Sequence, residues 1–263
     1  MTDTATLPSD LALAEALLPA TLDAGRAILD VRARSVTVEH KADSSPVTEA
    51  DRAAEAIILK ALAEHAPGIP VVAEESVEAG NLPAVGDIFF LVDPLDGTKE
   101  FIKGGSDFTV NIALVRGNAP AMGIVYAPAA GRLYVGTADD GAWAANVTDG
   151  AIGGREPIAV RVPGDAVDVV ASKSHRTPET DAYIGQYPVG ELVSAGSSLK
   201  FCLVATGRAD LYPRFGRTME WDTAAGHAVL LAAGGQVYAL DGEPLDYGKP
   251  SFENPHFYAV GVE

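Results

Sequence analysis

The segment Asp87–Val92 is a β-branched and aromatic run that reads as a buried strand, and it stops at Asp93-Pro94-Leu95-Asp96-Gly97-Thr98. Pro94 suits the second position of a tight turn, which brings Asp93 and Asp96 to the same side of the strand end. Two carboxylates held together at neutral pH demand a cation. With no His or Cys beside them, these hard oxygen ligands select Mg²⁺, Mn²⁺ or Ca²⁺ over zinc. Gly97-Thr98 then opens a short helix through Phe101, and small residues at a helix start seat a phosphate on their backbone N–H groups. Metal-binding acids followed at once by an anion-binding turn describe metal-assisted phosphate chemistry. The chain carries 36 acidic against 19 basic residues, a net charge of −17. That field repels nucleic-acid polymers and anionic membrane surfaces, so an anionic small substrate needs locally clustered cations.

The 263 residues fit one large α/β domain or two small ones. Leu11 to about Val31 has helical spacing behind a Ser9 cap, with Pro19 expected to kink or divide it. Thr48-Glu-Ala-Asp51 opens a second amphipathic helix, and a short strand, Ile69–Ala73, runs into Glu74-Glu75. Phe108–Val115, Met122–Tyr126 and Leu133–Gly136 read as a β-meander. The Gly/Pro/polar stretch that follows marks a boundary, with an N-terminal α+β unit over 1–145 and a C-terminal α/β unit over 146–263. The second unit alternates strand Val167–Ala171, helix Pro178–Tyr183, strand Leu192–Ser194, helix Ser198–Thr206, strand Ala209–Tyr212, helix Trp221–Ala233 and strand Gln236–Ala239. The single cysteine, Cys202, excludes an internal disulfide framework. The absence of a basic n-region and of a long apolar run sets the expectation of a cytoplasmic protein, peripheral at most to the inner membrane.

No one element settles the chemistry by itself. Asp93-Pro94 is also a plain turn, Asp51 the N3 acid of a Thr48 capping box, Asp222 a helix-start acid, Glu74-Glu75 a solvated pair and Lys200 a solvated lysine. Cys202-x5-Arg208 has the spacing of a cysteine-nucleophile phosphatase loop, but Leu199, Cys202, Leu203 and Thr206 share one helical face, as a structural thiol would. Leu95-Asp96-Gly97-Thr98 imitates an aspartyl-phosphate loop, yet the nucleophile's position is Pro94.

Taken together, Asp93-Pro-Leu-Asp-Gly-Thr98, Glu74-Glu75 upstream and Trp221-Asp222 downstream resemble the inositol monophosphatase/fructose bisphosphatase superfamily, from about Lys41 to Gly235. Lys41–Asp51, Asp96–Phe101, Ala171–His175 and Gly196–Lys200 are similar to its bacterial 3′(2′),5′-bisphosphate nucleotidase branch. The resemblance implies a layered α/β/α/β/α sugar-phosphatase fold of two sub-domains. It implies Glu74, Asp93, the Leu95 carbonyl, Asp96 and Asp222 as ligands of Mg²⁺, about two or three ions per site, with Mn²⁺ as a substitute and Li⁺ and Ca²⁺ as inhibitors. Asp51 and Thr98 would activate the attacking water, and Gly97 and Thr98 would hold the scissile phosphate. Ser174, His175, Ser198 and Lys200 would contact the nucleotide and its second phosphate, with Arg214 and Arg217 as weaker candidates. The departures are Ala73, Arg217 and His227, where Ser, Pro and Gln are expected. The implied reaction removes the 3′-phosphate of adenosine 3′,5′-bisphosphate, or of its sulfated form, in sulfur assimilation, by a monomer or homodimer. The alternatives are an inositol or fructose-bisphosphate phosphatase, and a non-catalytic Mg²⁺/Ca²⁺ module, which would have no use for the Asp51–Thr98 pair.

Overall fold

The computed structural model describes residues 8–34, 38–40, 46–172 and 176–261. The first helix, α1 (Asp10–Arg34), is capped as expected, Ser9 Oγ accepting the Ala12 N–H at 3.2 Å. Pro19 does not divide it: the proline sits on the exposed side of the helix, away from the packed face formed by Leu13, Leu17, Ala24 and Ile28. A two-stranded ribbon of β1 (Val38–His40) and β2 (Pro46–Thr48) leads into α2 (Glu49–His65).

Next come β3 (Val71–Ala73), α3 (Glu74–Glu78), β4 (Ile88–Asp96) and α4 (Thr98–Ile102). An antiparallel meander follows in β5 (Thr109–Arg116), β6 (Ala119–Ala127), β7 (Arg132–Thr137) and β8 (Gly141–Thr148), with the short β9 (Ala151–Ile152) and β10 (Glu156–Ile158) at its edge. These strands form one sheet ordered β10-β8-β7-β6-β5-β4-β3, in which only β3 pairs parallel, to β4. A second sheet, β12-β11-β13-β15-β14, is built from β11 (Val167–Ser172), β12 (Val189–Ala195), β13 (Leu211–Arg214), β14 (Gln236–Ala239) and β15 (Phe257–Val260). Interleaved with its strands are α5 (Pro178–Ile184), α6 (Leu199–Ala205) and α7 (Glu220–Ala232).

Side-chain alternation decides the layering. On β4, Phe90 and Val92 pack against α1 and α2, while Phe89 and Leu91 join Phe201, Ala225 and Val229 of α6 and α7. The far side of α6 and α7 meets Val170, Tyr212, Val237 and Phe257 of the second sheet, whose outer face packs Val169 and Leu211 on Ile184 of α5. The order is therefore α/β/α/β/α, and β4 is apolar from Ile88 to Val92 because both its faces are covered there. The composition change at 145–146 falls within β8, and β10 still belongs to the first sheet. We propose the two sheets, sharing α6 and α7 between them, as the two sub-domains.

The central layer needs close approach. A Cβ on Gly123 of β6 would lie 2.2 Å from the Ala225 carbonyl oxygen and 2.8 Å from Ala228 Cβ on α7. Gly123→Ala should push α7 off the sheet and cost about 2–3 kcal/mol, roughly a 5–10 °C fall in Tm by thermal and urea unfolding. An unchanged Tm would contradict this packing.

Candidate active site

The expected end of β4 at Asp93 is not an end. The strand continues to Asp96, with Asp93 opposite Asn111 and Asp96 opposite Thr109 on β5, so Pro94 and Leu95 face a single residue, Val110. This is a bulge, and Pro94, which has no N–H to give the ladder, sits inside it. Three steps along a regular strand would send Asp93 and Asp96 to opposite faces; the extra residue restores them to the same one. Gly97 then turns the chain at φ +91°, where a Cβ would lie 2.7 Å from the Asp107 carbonyl oxygen, so no other residue fits without movement. Thr98 follows as the first residue of α4, its hydroxyl 3.1 Å from the Leu95 carbonyl oxygen.

Three other elements bring acids to this strand end. Asp51 is indeed the N3 residue of a capping box: its Oδ2 accepts the Thr48 N–H at 2.8 Å and the Thr48 hydroxyl at 2.7 Å. Its other oxygen, Oδ1, is 3.3 Å from the Thr98 hydroxyl, so the capping and catalytic readings use different atoms of one carboxylate. Parallel pairing of β3 with β4 sets Ala73 beside Val92, and hence Glu74, the first residue of α3, beside Asp93. Ala73 cannot cap α3. Glu55 of α2 does so from a distance, accepting the Glu75 N–H at 2.9 Å and the Ser76 hydroxyl at 2.6 Å. Asp222 arrives on the first turn of α7, accepting the Met219 N–H at 2.8 Å.

Asp93 is buried; Glu74, Asp96 and Asp222 are half-buried against a shared cavity of about 410 Å³. Burial pushes the Asp93 carboxyl well above its ordinary range, and the neighbouring charges of Glu74, Asp96 and Asp222 push it further. Asp222 is pushed up to about 7 by burial and then by Asp96. Asp96 is also raised by burial, held back by Lys200, the Ser197 hydroxyl and the Ser198 N–H. Among the described residues no three acidic, histidine or cysteine side chains are drawn in to ion-ligating distance of one point; these four are neighbours that repel. Asp51 is pushed up to about 6, chiefly by burial.

Cations line the same cavity. Lys200, on the first turn of α6, is buried, donates from Nζ to the Ser197 carbonyl oxygen and lies 5.2 Å from the Tyr212 ring centroid. Burial lowers its pKa to about 8, with Asp96 resisting, which leaves it largely charged at pH 7. Arg214 ends β13, only 8% exposed; one terminal nitrogen donates to the Arg217 carbonyl oxygen at 3.1 Å, and its buried Nε has no hydrogen-bond partner among the described residues. Ser197, whose carbonyl accepts from Lys200, is held at φ +56°, its hydroxyl against that of Thr109.

The structure thus brings together Asp51, Glu74, Asp93, Leu95, Asp96, Gly97, Thr98, Lys200 and Asp222. Ser198 is buried off the cavity wall, and its hydroxyl donates to the Asp222 carbonyl oxygen at 2.8 Å; its neighbour Ser197 lines the cavity, as does Ser172. Ser174 and His175 lie outside the described residues. Cys202 is fully buried and its thiol pushed far up by that burial, as a structural thiol should be. Sequence reasoning missed Glu55, Thr109 and Ser197. A hydrophilic residue next to Ser198 was visible, but nothing in Gly196-Ser-Ser198 marks which serine takes the left-handed conformation.

The chain matches the inositol monophosphatase family profile over residues 12–258. It is 47% identical to the 3′(2′),5′-bisphosphate nucleotidase CysQ of Escherichia coli O157:H7, over 89% of this chain and 94% of that one. Among solved structures, CysQ from Bacteroides thetaiotaomicron superposes with a TM-score of 0.80 at 41% identity, covering 95% of this chain and 97% of that one. The inositol monophosphatase of Thermotoga maritima does so with a TM-score of 0.75 at 25% identity, covering 93% and 90%. On its length of match and its identity to these relatives, the chain belongs to the inositol monophosphatase family.

Proposed function

We propose that this chain is a divalent-metal-dependent 3′(2′),5′-bisphosphate nucleotidase, removing the 3′-phosphate of adenosine 3′,5′-bisphosphate, and of its sulfated form, to leave the 5′-nucleotide and phosphate. What carries this reading is one cavity lined both by carboxylates and by two buried cations, Lys200 and Arg214. A substrate with one phosphate needs only the carboxylates. One with two remote phosphates uses both, and a protein of net charge −17 has to place such cations locally. The match to CysQ nucleotidases at up to 47% identity supports the same choice.

The donor set fits a hard cation. Glu74, Asp93, Asp96 and Asp222 offer oxygen only, and their mutual repulsion is the charge that a divalent ion removes. Mg²⁺ bound there, with the Leu95 carbonyl as a further ligand, would neutralise the scissile phosphate and acidify the attacking water. The Thr98 hydroxyl takes the water's proton as its own passes to Asp51 Oδ1, because a threonine hydroxyl is too weak a base without a carboxylate behind it. Gly97 and Thr98 N–H groups orient the phosphate, and the released 3′-oxygen is reprotonated from solvent.

Lys200→Met keeps the buried stem and removes the charge. It should lower kcat/KM for adenosine 3′,5′-bisphosphate about 10–150-fold, the value of a charged hydrogen bond, and leave a single-phosphate ester such as inositol 1-phosphate nearly unaffected. Equal loss on both substrates would place Lys200 in support of Asp96 rather than on the second phosphate.

A further inference from the structure

Glu220 is a fully buried carboxylate two residues before Asp222, yet it is not on the cavity wall. It turns to the segment 246–254 instead. Its two oxygens accept the Gly248 N–H at 2.8 Å and the Lys249 N–H at 2.9 Å, and Lys249 Nζ pairs with it at 2.8 Å. The same segment grips the helix start at further points. The Glu220 N–H donates to the Phe252 carbonyl oxygen at 2.8 Å, and Asn254 Nδ2 donates to the Met219 carbonyl oxygen at 2.9 Å and to the Thr223 hydroxyl at 3.0 Å. The Asn254 N–H closes the ring on the Thr218 carbonyl oxygen at 2.9 Å. Met219, whose N–H is held by Asp222, is thus fixed from outside by Asn254 and from inside by the acid facing the cavity.

We propose that Glu220 is a positioning residue: by clasping segment 246–254 to the first turn of α7 it aims Asp222 into the cavity and so sets how tightly the carboxylate cluster takes a divalent cation. A charge this deeply buried is retained only with full compensation, and here the compensation comes entirely from that one segment. Three of the residues that line the cavity around it, Met219, Trp221 and Asp222, belong to the turn so held. The inference rests on the metal-dependent reading above.

The test is Mn²⁺ binding to the intact chain, followed by the electron paramagnetic resonance of free Mn²⁺, beside the Mg²⁺ dependence of phosphate release. Glu220→Gln keeps the shape but sets an amide against one of the two N–H donors. Its Mn²⁺ Kd and its half-saturating Mg²⁺ should rise roughly 10–100-fold, the usual effect of losing an outer support of a metal ligand, with kcat at saturating Mg²⁺ within a fewfold of wild type. Asn254→Ala should move both in the same direction by less, and it decides the matter if Glu220→Gln does not fold. Folded variants with lowered Tm and wild-type Mn²⁺ affinity would overturn the clasp, leaving Glu220 a purely structural group. A wild-type chain that takes up no Mn²⁺ would overturn the metal-dependent reading itself.

Discussion

Asp93→Asn should bring turnover at saturating Mg²⁺ down by about 10³-fold or more, since the site loses the carboxylate at its centre and several kcal/mol of transition-state stabilisation with it. The same variant should melt higher than wild type without metal. The charged neighbours that act most on Asp93, namely Glu74, Asp96 and Asp222, all raise its pKa, whereas Asp96 has Lys200 beside it. Relief of that repulsion is worth about 1 kcal/mol or more, roughly 2–4 °C in Tm. Excess Mg²⁺ should reverse the order, stabilising wild type more than the variant. Retained turnover, or a metal-free Tm below wild type, would contradict a repelling carboxylate centre.

The same repulsion has a pH signature. Asp51 and Asp222 have folded pKa values raised to about 6 and 7, above their unfolded values, so between about pH 4 and 7 the folded chain binds more protons than the unfolded one. Metal-free stability should therefore rise as pH falls from 8 toward 5. Lys200, lowered to about 8, acts above that window. Saturating Mg²⁺ should flatten the profile by holding the cluster ionised.

Asp51→Asn is expected to lower kcat about 10²–10⁴-fold, the contribution of a positioned general base, with KM and Mg²⁺ dependence little changed. Asparagine retains an acceptor for the Thr48 N–H, so the helix cap survives while the base is lost. In wild type at saturating Mg²⁺, activity should climb with pH as Asp51 ionises, with a midpoint below the metal-free value of about 6 because bound cations favour the carboxylate, and the variant should lose that limb. Stopped-assay kinetics across pH 5–8 check both. A variant within tenfold of wild-type kcat would remove Asp51 from proton transfer.

The layered fold was legible because its signals are local: the buried run of β4, the meander punctuated by Gly and Pro, and the helix caps at Ser9 and Thr48. The site was legible in its residue types and less so in its mechanics. Asp93 and Asp96 do share a face, but through a bulge rather than the turn that Pro94 suggests, because pairing with β5 continues past the proline. The competing readings of Asp51 proved compatible, since a carboxylate has two oxygens and each reading needs one. Glu55 and Glu220 look like ordinary helix acids; their partners are set by tertiary contacts between separate elements. Lys200 reads as a surface cation until the layer above it is placed. Ser197 carries the left-handed backbone usually signalled by Gly or Asn, and a serine gives no such notice.

Carboxylates and buried cations in one cavity suit a nucleotide that carries two phosphates. Phosphate release by the wild-type chain in Mg²⁺, measured in parallel on adenosine 3′,5′-bisphosphate, inositol 1-phosphate and fructose 1,6-bisphosphate, tests this most directly. The highest kcat/KM is expected on adenosine 3′,5′-bisphosphate, with the 5′-nucleotide as product; a preference for inositol 1-phosphate would contradict selection of two phosphates, and a preference for fructose 1,6-bisphosphate would contradict the choice of a nucleotide.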